Sequence, residues 1–437
     1  MTIGRLLKAW RRRSGLTQAQ VAEGICSRAH LSDLERGVRL PTADVLAGLA
    51  DRLGVPFDDL ATAYLQAPVS YQQWLAFARE LAVRGEFALA RHVIDVAAGR
   101  VAGEPSADAR DRYRAEHLET VAMLHFQQGS MEEALDAYQQ ALAERLRTPS
   151  RRYALARASY QVGTVALHLG RRELARNALY EAFRIVQFMA PGDTPEARDR
   201  LVDLHWRIVH NLGVTLLVDR NVHEAWFVYR QAEEIWRRYD MGEAWSAPLY
   251  LNRALAEMGT GHFDQARELL QQVLEDDELP DGDRVGALNN LGVLARLAGR
   301  WDEAETYQRR AWELHQGSGA GVPRAIYIEL ARCALHRADP AEAEAWLAEA
   351  DRVRGSAPDP SLDVDMIWLA ARLRRDRGEV EQAAELLDEA LQRDDVPVTL
   401  RQCLLLERLR IALADGARGD AARLLDDLEA LLSRATL

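Results

Sequence analysis

The chain of 437 residues has only three cysteines and six asparagines, and no apolar run that approaches a membrane span. Each shortage closes off a class of protein. Cys26, Cys333 and Cys403 stand far apart, with neither metal-ligand spacing nor the density of a disulfide scaffold, so buried, reduced thiols are expected. A spanning helix needs roughly 18 or more consecutive apolar residues. No window comes near that, and no membrane partner is expected. The basic N-terminus has no apolar stretch behind it, so no secretory signal is expected, and the reading is a cytoplasmic protein. There is no phosphate-cradling glycine loop, no HExxH pair, and no serine or cysteine nucleophile in a recognisable setting. Asp and Glu recur at helical spacing opposite apolar stripes, the pattern of a solvated face. The expectation is a protein that is not an enzyme and uses no metal or cofactor.

What the chain has in quantity is helix. Apolar residues make up 48% and charged residues 28%, with Ala, Leu and Arg abundant. That profile points to an all-α protein large enough for two or more domains. A net charge of −12 would argue against nucleic acid if it were spread evenly. It is not. Residues 1–40 carry Lys8 and seven arginines against Glu23, Asp33 and Glu35, a balance of +5, which leaves −17 for the rest. A basic head on an acidic body is the asymmetry of a DNA reader joined to something that stays off DNA.

Within that head, Thr17 to Pro41 reads as two short helices and a tight turn. Thr17 is a good N-cap for the first, with Val21 and Ala22 turned inward. Ser27 can cap the second, whose inner face is Leu31 and Leu34. Gly37 ends it where a left-handed residue is wanted, and Pro41 follows. The outward face carries Arg28, Ala29, His30, Ser32 and Asp33, all short or polar. A helix that enters a major groove needs such a face, with an apolar back held by its neighbour.

These residues resemble the helix-turn-helix of the Xre/phage-repressor class. Thr17-Gln18, Val21-Ala22, Leu31-Ser32, Glu35-Arg36-Gly37 and Pro41 stand in its signature positions. The turn, Gly24-Ile25-Cys26, is one residue shorter than in most phage repressors. With Ser27 after it, the turn is similar to that of PlcR-like and Rgg-like peptide-pheromone receptors, the RRNPP family. The resemblance implies that Gln18 holds a phosphate and that Arg36 meets the DNA backbone. It implies that Arg28, Ala29, Ser32 and Asp33 face bases, with Thr17, Ser27 and His30 in the same interface. Asp33 is an awkward reader. It repels phosphate and accepts only from cytosine or adenine amino groups, unless it orients Arg28 or Arg36 instead.

Around this pair, Ile3, Leu6, Leu7 and Trp10 make the inner stripe of a first helix. Thr42 caps a fourth, with Val45, Leu46, Leu49 and Leu53 inward and Gly54 at its end. Pro56-Phe57 opens a short fifth helix through Leu60. Residues 1–65 thus form a five-helix domain, and Gln66 to Ser70 reads as a linker.

From Tyr71 to the C-terminus the chain repeats itself. Each unit is a helix with a small residue mid-face, a short turn, then a helix with Ala, a large residue and Ala. Gly163, Gly213 and Gly292 each precede an alanine (Ala175, Ala225, Ala304) by twelve positions. Weaker units begin their second helix at Ala90, Ala134, Ala266, Ala343, Ala383 and Ala421. About nine hairpins result, spaced more widely than the roughly 34 residues of a standard tetratricopeptide (TPR) repeat. The longest interval, Ala175 to Ala225, holds a Pro191 to Pro195 loop. Resemblance to TPR proteins over residues 71–437 implies a right-handed superhelical solenoid for ligand binding and dimerisation.

The scarce asparagines are not scattered. Asn211, Asn252 and Asn290 share one position, two residues before the small residue, in three consecutive units. Gln161 holds it one unit earlier and Glu329 one unit later. In TPR arrays this position faces the concave groove. An amide both donates and accepts, so a column of amides can clamp the main chain of an extended peptide. Arg157, Tyr160, Arg207, His210 and Asn289 lie around it, with Arg332, Trp368 and Arg372 further on. The domain order implies a cytoplasmic, homodimeric transcription regulator of RRNPP type that binds a double-stranded DNA operator and a short signalling peptide. The alternatives are a regulator whose repeats dock a protein segment, such as a sigma factor, and the DNA-binding subunit of a phage or toxin–antitoxin switch.

Overall fold

The computed structural model describes residues 2–435 apart from 66–69, 102–106, 148–151, 191, 193, 220, 239–246, 276–278, 318–322, 354–359, 394–395 and 397. Most of the expected linker therefore lies outside the described residues. All regular structure among the described residues is helical. Five helices open the chain: α1 (Ile3–Arg13), α2 (Gln18–Ala22), α3 (Arg28–Arg36), α4 (Ala43–Leu53) and α5 (Phe57–Leu65). The expected caps are in place. Thr17 and Gln20 form a reciprocal capping box on α2, Ser27 accepts from the His30 amide, and Thr42 accepts from the Val45 amide. Gly37 and Gly54 close α3 and α4 in the left-handed conformation. The fifth helix runs to Leu65 rather than ending at Leu60. Ala61, Ala63 and Tyr64 beyond Leu60 are buried, so packing carries the helix on.

Among the described residues eighteen further helices follow as nine consecutive pairs. They are α6 (Tyr71–Val83) with α7 (Phe87–Val101), α8 (Ala107–Gln127) with α9 (Met131–Leu146), and α10 (Arg152–His168) with α11 (Arg172–Val186). Next come α12 (Pro195–Val218) with α13 (Val222–Arg238), α14 (Ala247–Gly259) with α15 (Phe263–Glu275), and α16 (Asp281–Leu297) with α17 (Trp301–Gly317). The last three are α18 (Arg324–His336) with α19 (Pro340–Arg352), α20 (Pro360–Asp376) with α21 (Val380–Leu391), and α22 (Val398–Ala414) with α23 (Arg418–Ala435). The small mid-face residue allows the close approach within a pair. A Cβ on Gly213 would stand 2.1 Å from the Tyr229 hydroxyl oxygen across the α12–α13 pair. The long Ala175–Ala225 interval is absorbed partly by α12, 24 residues long, with Thr194 capping it and Pro195 in its first turn.

The chain forms two compact units: residues 1–220 with 227–244, and residues 221–226 with 245–437. In the first, one hydrophobic core runs from Ile3 and Leu7 through Leu31, Leu46, Leu60 and Tyr64 into Trp74, Phe77, Leu81 and Val93. The five-helix head and the first hairpin are thus packed as one body. Tyr64 stacks on Phe77 with ring centroids 3.9 Å apart, Asp44 pairs with Arg84 at 2.6 Å, and the Ala43 amide donates to Glu80 at 2.6 Å. In the second unit, cores recur between successive hairpins, as around Leu270 and Leu291, Leu347 and Leu369, and Leu387 and Leu404. Of the cysteines, Cys333 is buried and Cys26 half-buried, but Cys403 is exposed on α22, which corrects the expectation of three buried thiols. Among the described residues no helix is long and apolar enough to cross a membrane.

Candidate functional site

The head is organised around one carboxylate. Glu35, at the end of α3, is 7% exposed and takes two hydrogen bonds from the Arg11 guanidinium of α1, one of them 3.0 Å long. The Gln18 side-chain amide of α2 donates to the same carboxylate at 2.9 Å. Burial pushes the Glu35 carboxyl up, but the Arg11 and Gln18 hydrogen bonds and the charges of Arg11 and Lys8 outweigh it, and its pKa ends below the ordinary value. Three helices are thereby pinned at one point. Arg52, from α4, closes the other side by donating to the carbonyls of Gln20 and Glu23 just where α2 ends.

In front of this cluster lies a cavity of about 750 Å³ lined by Lys8, Arg11, Arg12, Thr17, Gln18, Ala19, Arg28, Ser32, Glu35 and Arg36. Its charge is strongly positive, and its only acid, Glu35, is already neutralised by Arg11. Arg28 and Ala29 are exposed, while His30, Ser32 and Asp33 are partly covered. Asp33 pairs with Arg36 and lies 3.6 Å from Arg39. Of its two expected roles, the geometry brings it to Arg36 and leaves Arg28 apart. Ser27 and Thr17 serve their helices as caps at the edge of the same face.

The residues expected to line a groove fall into both units. In the first, Asn211 is half-buried and its amide donates to the Thr164 hydroxyl at 3.2 Å and toward the Tyr160 hydroxyl at 3.5 Å, which ties α12 to α10. Gln161 is half-buried, with its Oε1 covered and without a hydrogen-bond partner. His210 stacks on Trp206 at 5.3 Å, its Nδ1 is likewise unpartnered, and burial lowers its pKa. Arg207 is exposed and held by Asp203 at 2.9 Å. In the second unit Asn252 is half-buried, the Asn289 amide reaches Asn290 at 3.5 Å, and Asn289 Oδ1 is covered and unpartnered. Glu329 differs from the amides. It is 9% exposed and clasped by Arg296 at 2.7 Å and Arg332 at 3.3 Å, so its carboxylate is engaged inside the array. Arg332 also pairs with Asp365 at 2.6 Å and, with Arg372, flanks the Trp368 ring.

Residues 201–437 match the family described as MalT-like TPR region. The chain belongs to that family. Residues 113–187 match a tetratricopeptide repeat family and residues 2–63 a helix-turn-helix domain family. No curated protein matches the sequence as a relative. Among solved structures, the apo quorum sensor NprR from B. thuringiensis is similar over 83% of this chain and 98% of its own, at 12% identity and a TM-score of 0.53. RapI in its apo form covers 84% and 98%, at 11% identity and a TM-score of 0.56. A TPR protein from Parabacteroides merdae covers 67% and 98%, at 15% identity and a TM-score of 0.50. At such identities the likeness is one of fold, and the fold is the expected one: a helix-turn-helix head followed by TPR-like hairpins, as in RRNPP-type regulators. As a MalT-like TPR protein with a helix-turn-helix head, the chain has the make-up of a DNA-binding regulator.

By sequence pattern Lys8 and Arg12 fall on the outward face of α1, and the motif does not place them beside Gln18 and Arg36; the fold brings all four to one cleft. The available signal is that Lys8 stands three residues before Arg11 and four before Arg12, on one face of a basic helix. Arg52 gave none, because its acceptors are backbone carbonyls whose positions only folding sets.

Proposed function

We propose that the protein is a sequence-specific, cytoplasmic transcriptional regulator that binds an operator as a homodimer through residues 1–65. In this reading residues 66–70 connect the head to a repeat region, 71–437, which dimerises and binds a short signalling peptide or protein segment that alters DNA binding. The observation that carries the DNA-binding half is the cationic cleft, where Lys8, Arg12, Gln18 and Arg36 can meet phosphates beside the exposed start of α3. Supporting the ligand half are the half-buried amides of Gln161, Asn252, Asn289 and Asn290, and the fold likeness to a quorum sensor.

Arg28 is the test of base reading. It is exposed at the first position of α3 and has no ion-pair partner among the described residues. Arg28→Ala should weaken binding to an operator selected from random DNA by about 1–3 kcal/mol while leaving binding to scrambled duplex nearly unchanged. Fluorescence anisotropy on both duplexes decides it, and equal losses would make Arg28 a phosphate contact only.

A further inference from the structure

Four helices of the first unit bring three arginines to one acid. Glu119 on α8 is 3% exposed, and both its oxygens are taken. Oε1 accepts from Arg145 Nε of α9 at 2.9 Å, and Oε2 from Arg157 of α10. Arg79 of α6 reaches the same place, but its Nε donates to the Thr120 hydroxyl at 3.0 Å, and that hydroxyl donates onward to the Glu116 carbonyl. Among the described residues no carboxylate forms an ion pair with Arg79. Burial and the neighbouring Arg157 charge hold its pKa below the ordinary arginine value, against the weaker pull of Glu119 and Glu116. The Arg157 Nε is covered and has no hydrogen-bond partner.

The balance of this cluster is positive. With Glu119 fully engaged and Glu116 one turn away, the Arg79 guanidinium is left half-buried without a direct ion-pair partner, an arrangement that costs stability unless an anion completes it. The surroundings say what kind of anion. One turn along α10 from Arg157, Gln161 Oε1 is covered and lacks a donor. A guanidinium in want of an acid, Arg79, and a second with an unpartnered Nε, Arg157, beside an acceptor in want of an N–H suit a peptide, which supplies both.

We infer that Arg79 and Arg157 form a carboxylate-binding site that anchors the peptide by its C-terminus or by an Asp or Glu side chain. This rests on the peptide reading above and adds the chemistry of the ligand. The site adjoins the DNA reader, since the residue after Arg79 is Glu80, which accepts from the first amide of α4, and Arg84, at the C-terminal cap of the same helix, pairs with Asp44.

The experiment offers the full-length protein three synthetic pools of N-acetylated random heptapeptides. One has a free C-terminus and no Asp or Glu, one is amidated with a single Asp or Glu, and one is amidated and neutral. The retained peptides are quantified by mass spectrometry. Wild type should favour one of the two acidic pools over the neutral pool by roughly tenfold, and which one it favours identifies the source of the carboxylate. Arg79→Gln should retain peptides without that preference, and Arg79→Lys should restore most of it. Should Arg79→Gln fail the circular-dichroism check of folding, Arg157→Gln, at a side chain one-third exposed, takes its place. No acid preference in wild type, or an unchanged preference in the variant, overturns the site. If no peptide is retained at all, the peptide reading fails, and millimolar N-acetylglutamate then tests the site by itself. A melting-temperature rise in wild type that Arg79→Gln abolishes upholds a carboxylate site without a peptide, and equal behaviour of the two proteins removes both.

Discussion

Glu35 is where a residue-level choice shapes the whole reading head. A buried carboxylate is costly to leave unpaired, and here it is joined by a guanidinium from α1 and an amide from α2. Gln18, expected as a phosphate ligand, is also a structural donor, and its amide must serve both partners or turn from one to the other. Arg11→Met leaves Glu35 buried with only Gln18, and should lower stability by about 3–5 kcal/mol in urea denaturation at neutral pH. The sign with pH follows from the lowered carboxyl pKa. Its stabilisation is present above the unfolded value, 4.5, and is lost as pH falls through the lower folded value. The gap between wild type and Arg11→Met should therefore close in acid. A gap that persists unchanged after Glu35 is protonated would mean that lost packing, not the ion pair, accounts for the loss.

At the scale of elements, two features set how helices meet. Gly4 sits inside α1, where a glycine has no propensity advantage, yet a Cβ there would stand 2.3 Å from the Leu34 carbonyl oxygen of α3 and 2.9 Å from that of Glu35. Those are backbone atoms that cannot turn aside. Gly4→Ala should pry α1 from α3, costing on the order of 1–3 kcal/mol net of its better helix propensity. An unchanged or raised melting temperature would show that the two helices separate freely. In the repeats, Asn211 and Asn252 share a repeat position but not a setting. Asn211 bridges α12 to α10, so Asn211→Ala should lower stability by about 1 kcal/mol. Asn252 is half-buried, and no bond of its side chain to another helix is seen among the described residues. Asn252→Ala should leave the melt unchanged and weaken peptide binding by about 1–3 kcal/mol, read by calorimetry. A marked drop in melting temperature with peptide affinity intact would make Asn252 structural as well.

For the whole molecule, the strongest constraint is the core that the five-helix head shares with the first hairpin. Tyr64 on Phe77 and Glu80 against α4 mean that α6 cannot shift without moving the reader's support. That gives a repeat-bound ligand a physical route to DNA affinity. The proposed homodimer carries its own prediction. A five-helix head covers too little DNA for tight specific binding by itself, so the selected operator should be a near-palindrome with half-sites one or more helical turns apart. A monomer by light scattering at micromolar concentration that still binds a single half-site specifically would remove the dimer.

The sequence alone determined the helices of the head apart from the end of α5, which packing carries past Leu60, because their signals are local. Thr17, Ser27, Thr42, Gly37 and Gly54 cap or end the helices from within a few residues of where they act. It also determined the nine-hairpin plan, since small residues at fixed spacing announce close helix approach before any contact is known. What it could not determine lies at long sequence separation. The Arg11–Glu35 pair spans 24 residues, Arg52 to Gln20 spans 32, and Arg79 to Thr120 spans 41. Charged partners so far apart can be chosen from dozens of arginines and carboxylates. Only the packing of helices decides which guanidinium is matched by an acid, as at Glu329, and which is left wanting one, as at Arg79.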